Sequence, residues 1–526
     1  MQKLPIGIQS FADLRSKDYL YIDKTQNIHH LITAGKTFFL SRPRRFGKSL
    51  LVSTMEAIFQ GQQELFKGLW IEDNWDWTEQ HPVIRIDFGG MAFDTPEALV
   101  RSLMSSLKNI AQEYQIVLEA GDLAFRFREL IQKLHQTTRL QVVVLIDEYD
   151  KPIIDHITNL ELADQNRTIL HAFYQILKAA DEHLQFLFLT GVSKFSKVSI
   201  FSGLNHLNDI TLDEKYAAIC GYTQSELEFY FDPYIEVLAQ KEEYSKQIAI
   251  EKIKYWYDGY SWDGKTFVYN SFSTLLFFSK QVFTDHWFAT GTPTFLVNLI
   301  KERNDVKALL KSIQLEADNF DSFDIQAIVP EVLMFQTGYL TVKKKEKNPF
   351  SDTMLYTLGV PNEEVNRALT AHLLASYAGI SSVDVGQGRT QMMQQLLDGN
   401  SQAFERSLQA LFAHIPYELH IPKEAYYHSL LLLWLNLLGF KVDAEVNTDK
   451  GRIDAVWTWA ERVVIAEVKY AETGDTGQLL EVALLQIHEK KYAERYAGNS
   501  KRIALLGVAF VGKEVACRME ELSILE

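Results

Sequence analysis

The sequence predicts a multidomain α/β protein with a parallel α/β domain first, a mostly helical middle region, and a second α/β domain at the C-terminal end. Three observations predict this fold. Apolar runs of strand length alternate with helical patterns over roughly the first 200 residues, a Gly-Lys-Ser turn follows one of those runs, and the last part of the chain is patterned as helix, three strands, helix and strand. The 526 residues suffice for about three or four domains.

Composition excludes several classes of protein. A hydrophobic share of 47% is ample for several packed cores and excludes a largely disordered chain. The longest apolar run, residues 430–440, is interrupted by Asn436 and is too short to cross a bilayer. No export signal is evident, and Cys220 and Cys517 lie too far apart to form a metal-ligand pair. We therefore expect a cytoplasmic protein that has no membrane partner.

The net charge of −15 does not indicate a general polyanion binder. A nucleic-acid enzyme is nevertheless compatible with it. Metal ions can offset catalytic carboxylates locally, and a basic groove can lie on an acidic body. The net charge alone therefore does not decide whether the protein acts on nucleic acid.

The first domain is predicted from its strands. Runs of strand length, rich in branched or aromatic side chains and separated by helical patterns, cover residues 36–41, 83–88, 142–147 and 186–191. Continuous apolar strands between amphipathic helices are typical of a parallel sheet that is covered on both faces. Residues 1–212 are therefore interpreted as one parallel α/β domain.

The rest of the chain divides into two further regions. Residues 213–400 alternate aromatic-rich loops with helical patterns, which cover 223–240, 246–257 and 361–378. After about residue 415, a helix is followed by three strands with tight polar turns, a second helix and a last buried strand. We therefore predict a mostly helical middle region and an α/β domain over residues 401–526.

A phosphate-binding loop is indicated at residues 41–49, between an apolar strand and a helix. Backbone N–H groups at the helix start, Gly47 for close approach and the Lys48 ammonium would hold the β- and γ-phosphates. The Ser49 hydroxyl would be a ligand for Mg²⁺. The usual GxxxxGK[ST] pattern has glycine at position 42, where this chain has Arg42. A surface loop without a ligand is the alternative reading.

Polar residues at the ends of later strands complete this predicted site. Asp147 ends an apolar strand and could hold Mg²⁺ through water, and Glu148 beside it could orient or deprotonate the attacking water. Thr190 ends a further strand, where it could contact the γ-phosphate or simply end the strand. The loop arginines could contact phosphates, a neighbouring subunit or solvent: Arg42, Arg44 and Arg45. The residues expected to hold the nucleotide are Arg44, Arg45, Phe46, Gly47, Lys48, Ser49, Asp147 and Thr190.

Several segments carry a family resemblance: YIDKT, FLSRPRRFGKSLL, VVLIDEYDKPI, LTGVSKFSKVSIFSGLNHLNDI and WYDGYSW. Over nearly the whole chain it resembles bacterial AAA-ATPase-like proteins that carry a C-terminal PD-(D/E)XK nuclease-like domain, in which an arginine for glycine in FLSRPRRFGKS is typical. The resemblance implies an ATP-binding, AAA-like P-loop domain with a parallel sheet, a helical or winged-helix middle, and a restriction-endonuclease-like tail. Since AAA-type sites usually lie between subunits, it is also compatible with a homo-oligomer.

The tail contains a second candidate site. Glu467 and Lys469 alternate on one strand and face the same side, and Asp454 on the neighbouring strand could reach the same spot. Two carboxylates and a lysine could bind one or two Mg²⁺ ions and position a water for attack on a phosphodiester. Solvated charges on a half-exposed sheet are the alternative. Glu424 and Gln486 resemble the additional acidic residue and the glutamine of the nuclease superfamily.

The two sites predict an ATPase coupled to a Mg²⁺-dependent nuclease, with DNA preferred over RNA by the resemblance alone. ATP and Mg²⁺ are the expected cofactors. Two alternatives stay open: a nucleotide-switched protein whose tail grips nucleic acid or a partner without cutting, and an ATPase that acts on protein partners. The residues expected to perform catalysis are Glu148, Asp454, Glu467, Lys469, Glu424 and Gln486, and those expected to hold Mg²⁺ are Ser49, Asp147, Asp454 and Glu467.

Overall fold

A computed structural model describes residues 1–194, 206–287, 313–321, 329–349, 351–378, 391–396, 398–413, 423–459, 462–496 and 502–522. The chain divides into two compact units, and each is described by itself. The first comprises Met1–Gly291 and Gln314–Glu364, and the second comprises Thr292–Ile313 and Val365–Glu526. The three-part division expected from the sequence, with boundaries near residues 212 and 400, stays a prediction.

Helices and strands alternate in the N-terminal part of the first unit. Its helices are α1 (Phe11–Ser16), α2 (Thr25–Ala34), α3 (Lys48–Phe59), α4 (Pro96–Glu113), α5 (Leu123–Thr138), α6 (Lys151–Ile154) and α7 (Leu160–Ala179). Its strands are β1 (Thr37–Ser41), β2 (Val83–Asp87), β3 (Val142–Asp147), β4 (Leu184–Gly191) and β5 (Asn208–Asp209). The alternation confirms the α/β fold that the sequence predicts here.

The five strands form one sheet in the order β2-β3-β4-β1-β5, and their pairings are parallel. The side chains of β1 and β3 are buried along their whole length, because helices cover both faces of such a sheet. Asp87 is in register with Asp147, and Ser41 is in register with Gly191. The polar ends of these strands therefore lie along one edge of the sheet.

The region that follows in the first unit is mostly helical, as predicted. It contains β6 (Tyr222–Thr223), α8 (Gln224–Tyr230), α9 (Asp232–Lys241), α10 (Lys246–Tyr257), β7 (Val268–Tyr269), α11 (Ser271–Lys280), β8 (Ile313–Glu316), α12 (Pro330–Thr337), β9 (Thr341–Lys347) and β10 (Met354–Gly359). The single helix predicted over 223–240 is instead two helices. Pro233, in the first turn of α9, has no N–H to continue the ladder of α8.

The second unit contains the C-terminal α/β fold. Helix α13 (Glu363–Ala378) begins with the last two residues of the first unit and continues from Val365 in the second. The remaining helices are α14 (Ser401–Ala413), α15 (Glu424–Leu437) and α16 (Thr476–Glu489). The strands are β11 (Val442–Thr448), β12 (Gly451–Trp459), β13 (Arg462–Ala471), β14 (Arg502–Val511) and β15 (Glu514–Leu522). They form one mixed sheet in the order β11-β12-β13-β14-β15, in which β13 and β14 are parallel.

Most of this sheet matches the sequence prediction, but β15 was not predicted. Its exposed and buried residues alternate, as in an edge strand, and several of its side chains are charged. One face of the sheet packs against α16 through Leu484 and Ile487, which contact buried side chains of β12, β13 and β14. Helix α16 therefore lies beside the strands that carry the candidate catalytic residues.

The longest apolar run of the chain lies in α15, where the residues from Tyr426 to Leu437 are buried in the second unit. The apolar run is therefore part of the protein core. Across the ranges that the structure describes, no helix has both the length and the apolar character needed to cross a bilayer.

Glu364, the last residue of the first unit, is a buried carboxylate in the first turn of α13. It accepts hydrogen bonds from the backbone N–H groups of His286 (2.7 Å) and Trp287 (2.8 Å). Burial raises the pKa of Glu364 to about 7, because the charged form loses its hydration.

This raised pKa predicts a pH-dependent stability. The pKa of Glu364 is higher in the folded than in the unfolded chain. Its favourable contribution to the unfolding free energy is therefore complete below about pH 4.5 and is lost as pH rises through about 7. We expect Glu364→Gln to remove a decline of about 3 kcal/mol in unfolding free energy between pH 5 and 8. Urea unfolding across this range tests it. The exposed Glu161→Gln is the control, and an unchanged decline in Glu364→Gln would contradict the prediction.

Candidate functional site

The predicted phosphate-binding loop connects β1 to α3. Gly47, with a φ of 89°, precedes the first residue of α3, and Arg45 also has a left-handed φ of 71°. The Lys48 ammonium turns back and donates to the carbonyl oxygens of Arg42 and Pro43, each at 2.9 Å. Burial lowers the pKa of Lys48, and the nearby carboxylates act against this shift. A lysine enclosed by its own loop is well placed for a ligand with strong negative charge.

Arg42, which replaces the usual glycine, holds this loop from the inside. It is fully buried, and its guanidinium donates to the carbonyl oxygens of Ser41 (2.9 Å), Thr211 (2.9 Å) and Tyr216 (3.2 Å). It also lies 3.9 Å from the centre of the Trp262 ring, which is a cation–π distance. Burial lowers the pKa of Arg42 to about 10, so the side chain stays charged at neutral pH. Arg42 therefore supports the loop rather than forming part of the cavity wall.

Later segments of the first unit bind the carbonyl oxygens of the same loop. The Arg44 carbonyl accepts from the Trp287 indole N–H at 3.3 Å, and the Phe46 carbonyl accepts from the Gly221 N–H at 3.3 Å. The Phe46 ring is buried and contacts the Trp262 ring edge-on. The helical region thus fixes the shape of the loop.

The strand ends bring several carboxylates to the loop. Asp147 is fully buried, and its Oδ2 has no hydrogen-bond partner among the described residues. Burial raises the pKa of Asp147 to about 6, while the Ser49 hydroxyl and the Lys48 charge act in the opposite direction. A buried carboxylate oxygen without a donor fits a cation, and a hydroxyl beside it is a further oxygen ligand of the kind that Mg²⁺ accepts.

The carboxylates of Glu148 and Asp87 both lie close to Gly89, on the side that a side chain there would occupy. A side-chain carbon added at Gly89 would come within 2.9 Å of Asp87 Oδ1 and 3.1 Å of Glu148 Oε2. Glu148 has a left-handed φ of 52°, an uncommon conformation that is found at functional sites. Asp87 is not among the residues that the sequence predicts for this site. The end of β2 could have indicated it, because Asp87 ends a parallel strand as Asp147 does.

A cavity of about 640 Å³ adjoins the loop. The phosphate-loop and charged residues that line it include Arg44, Arg45, Phe46, Gly47, Lys48, Ser49, Asp87, Glu148 and Lys151. Its apolar lining residues include Ile8, Leu20, Ile22, Ile219, Tyr222 and Leu275. A cavity of this volume, lined by both charged and apolar side chains, is the size of a small-molecule site and suits a nucleotide.

Two of the expected nucleotide contacts do not line this cavity. Asp147 and Thr190 are fully buried behind its wall. The Thr190 hydroxyl donates to the Leu40 carbonyl at 2.9 Å, which directs it toward β1. A contact between Thr190 and a γ-phosphate stays a prediction.

The second unit brings the predicted tail residues together on β12, β13 and α16. Glu467 is 1% exposed, and its Oε1 accepts from the Lys469 ammonium at 2.8 Å and from the Gln486 amide. Asp454 Oδ2 accepts from the Val468 N–H at 2.8 Å, which connects β12 to β13. Alternation along β13 thus places Glu467 and Lys469 on one face, and Gln486 positions the carboxylate.

Charges at this site are strongly coupled. Burial and the neighbouring Asp454 raise the pKa of Glu467 to about 7, and Lys469 acts against them. Burial disfavours the Lys469 cation, but its hydrogen bond to Glu467 and the surrounding carboxylates raise its pKa. Glu424 is exposed at the start of α15, and its charge acts on both groups.

The tail carboxylates fit a metal ion in part. Glu467 Oε2 is buried and has no hydrogen-bond partner among the described residues, so it is available to a cation. In the parts of the chain that the structure describes, no three or more His, Cys, Asp or Glu side chains form a metal-ligating group. A cation at Asp454 and Glu467 would therefore take its other ligands from backbone carbonyls, substrate or water.

Two further residues contact this site and were given no catalytic role from the sequence. The His428 Nε2 lies 3.1 Å from the Asp454 carbonyl, and the buried Tyr492 hydroxyl donates to the Arg452 carbonyl at 2.9 Å. His428 follows Glu424 by four positions on α15, and this helical spacing is a signal that could have indicated it. Both side chains support the backbone of β12.

Comparisons with known proteins match both of the domains that carry these residues. A family model described as a predicted AAA-ATPase matches residues 5–201, and one described as the PD-(D/E)XK nuclease superfamily matches residues 422–520. A protein of Azotobacter chroococcum mcd 1, described as an uncharacterized protein in the vnfD 5' region, is 39% identical over 515 residues, which cover 97% of this chain and 96% of the relative. The chain therefore belongs to the same family as this relative, and it contains a predicted AAA-ATPase domain followed by a C-terminal PD-(D/E)XK nuclease superfamily domain.

The buried guanidinium yields a stability prediction. Arg42→Met removes the donor of three carbonyl hydrogen bonds, and we expect it to lower the unfolding free energy of the first unit by about 2–4 kcal/mol. Chemical unfolding of the full chain measures this loss. The matched control is Arg101→Met on α4, where the side chain is exposed. Equal effects of the two substitutions would show that Arg42 does not support the loop.

Proposed function

We propose that this protein binds and hydrolyses ATP in its first unit and cleaves phosphodiester bonds of nucleic acid with its C-terminal domain, using Mg²⁺ at both sites. One observation carries the proposal. Asp147 and Glu467 are buried carboxylates that each lie near a lysine and each keep one oxygen without a hydrogen-bond partner among the described residues. Such an oxygen is costly to bury unless a ligand or cation satisfies it.

In the first unit, Lys48 and the first-turn N–H groups of α3 would bind the β- and γ-phosphates. Ser49 and Asp147 would hold Mg²⁺, which supplies charge neutralisation of the phosphates when bound. Glu148 would accept a proton from a water whose oxygen bonds to the γ-phosphorus. The bond from that phosphorus to the β,γ-bridging oxygen breaks, and its electron pair leaves with ADP.

In the second unit, Asp454 and Glu467 would hold Mg²⁺, which acts as a Lewis acid toward the phosphodiester when bound. Lys469 would orient the attacking water and stabilise the negative charge that develops on the phosphate. Water oxygen bonds to phosphorus, the bond to the leaving oxygen breaks, and a proton ends on that oxygen. Gln486 holds Glu467 in place through its amide.

We further propose that nucleotide state controls cleavage, because both chemistries are present on one chain. DNA is the substrate proposed over RNA, the cytosol is the proposed location, and self-assembly of several copies is proposed for the ATPase. A second candidate is a nucleotide-switched binding protein whose tail does not cut. It is favoured by the few metal-ligating side chains at the tail site, because no three or more His, Cys, Asp or Glu of the described residues form a metal-ligating group.

For the ATPase, we expect Lys48→Ala to lower ATP turnover by at least about 100-fold, because the phosphates lose their main cation. Glu148→Gln should lower turnover about as much but should keep ATP binding, because it removes only the proton acceptor. Phosphate release and calorimetric binding separate these two effects. Lys108→Ala on the exposed face of α4 is the control. Turnover that survives both substitutions would place ATP hydrolysis elsewhere.

For the nuclease, we expect full-length protein to cut DNA in Mg²⁺ or Mn²⁺, and Asp454→Ala to reduce cutting by at least about 100-fold. Single- and double-stranded DNA and RNA are incubated with and without ATP, and products are resolved on gels. Asp443→Ala on β11, an exposed carboxylate of the same sheet, is the matched control. ATP-dependent binding of nucleic acid without any cleavage would instead support the non-cutting alternative.

A further inference from the structure

Lys151 is a cation of the nucleotide cavity to which the proposed mechanism gives no role. It is the first residue of α6 and lines the cavity together with Lys48 and Glu148. Its ammonium lies 3.7 Å from Glu148 Oε2 and 3.2 Å from Asp155 Oδ2. Lys151 therefore contacts the proposed proton acceptor and a second carboxylate at the same time.

Asp155 joins Lys151 to the phosphate-binding loop. Its Oδ1 lies 3.2 Å from a guanidinium nitrogen of Arg44, while its Oδ2 faces Lys151. Arg44 also lines the cavity. One carboxylate thus holds two cations that come from different segments and that border the same space.

These ion pairs are of the kind that a phosphate can replace. The side chains of Arg44, Lys151 and Asp155 are 43%, 26% and 32% exposed, and ion pairs at such partly hydrated positions are weak. A terminal phosphate carries more charge than a carboxylate and forms stronger charge-assisted hydrogen bonds. Exchange of Asp155 for phosphate would therefore favour the nucleotide.

The backbone around Lys151 is fixed, so this exchange needs only side-chain rotation. The buried Asp150 carboxylate accepts from the N–H groups of Val192 (3.1 Å) and Ser193 (2.6 Å). The Asn166 amide donates to the Pro152 carbonyl at 2.9 Å. The lysine side chain, with its flexible four-carbon stem, is the mobile part.

We propose that Lys151 binds the terminal phosphate of a nucleoside triphosphate, and that Asp155 holds Lys151 and Arg44 when that phosphate is absent. This inference rests on the proposed ATP site. It gives that site a means of distinguishing a nucleoside triphosphate from a nucleoside diphosphate. When Lys151 moves to the phosphate, Glu148 Oε2 loses its ion pair and can accept a hydrogen bond from water. A diphosphate lacks the group that draws Lys151 away, so Glu148 stays paired.

Calorimetric titration of the full chain with ATP and with ADP, each with Mg²⁺, tests this inference. We expect Lys151→Ala to weaken ATP binding about tenfold, the effect of one charge-assisted contact, and to change ADP binding less than about twofold. Asp155→Asn releases the two cations and should tighten ATP binding up to about threefold, with ADP nearly unchanged. Lys151→Arg should restore most of the ATP affinity, and Lys108→Ala should change neither ligand.

The opposite directions of the two main substitutions separate phosphate binding from a structural role. If Lys151→Ala and Asp155→Asn both weaken ATP and ADP equally, the ion pairs only stabilise α6 and the inference is wrong, while the proposed ATP site stands. If the unaltered protein binds neither nucleotide, the proposed function and this inference fail together. A preference for ATP over ADP that Lys151→Ala leaves intact also overturns the inference.

Discussion

The cost of burying charge organises the nucleotide-binding loop of this protein. Lys48 and Arg42 are both buried, where a charge is costly unless hydrogen bonds compensate it, and of the guanidinium nitrogens of Arg42 only Nε lacks a hydrogen-bond partner among the described residues. Both donate to backbone carbonyls, Lys48 to those of Arg42 and Pro43, and Arg42 to those of Ser41, Thr211 and Tyr216. Asp147 supplies nearby negative charge. The shape of the loop and the position of Lys48 at the start of α3 depend on this arrangement.

The same constraint recurs in the second unit with the signs reversed. There the buried group is a carboxylate, Glu467, and an ammonium and an amide converge on one of its oxygens. The other oxygen is left without a partner among the described residues. Each unit thus places a charge where the surrounding protein satisfies only part of it.

Much of the fold could be predicted from the sequence, because buried parallel strands are continuous apolar runs. The prediction for β3 has the observed bounds, whereas β15 was missed because an edge strand alternates and carries charge. The loop, Glu148, Lys469 and Gln486 could be located from motifs. Asp87 and His428 had local signals, a strand end and a helical spacing, but no motif marks them, and Lys151 had neither, since its proximity to Glu148 and Asp155 depends on how the short helix α6 folds. Thr190 shows the reverse case, because its position at a strand end did not reveal where its hydroxyl points.

The burial of Arg42 against Trp262 also makes these two positions interdependent. A glycine at position 42 would leave three carbonyl oxygens and one face of the Trp262 ring without their partner, and it would open a void the size of an arginine side chain. We expect that replacing either Arg42 or Trp262 alone destabilises the protein, because the other side chain then loses its cation–π partner. A change at either position should therefore be tolerated best when the other position changes with it.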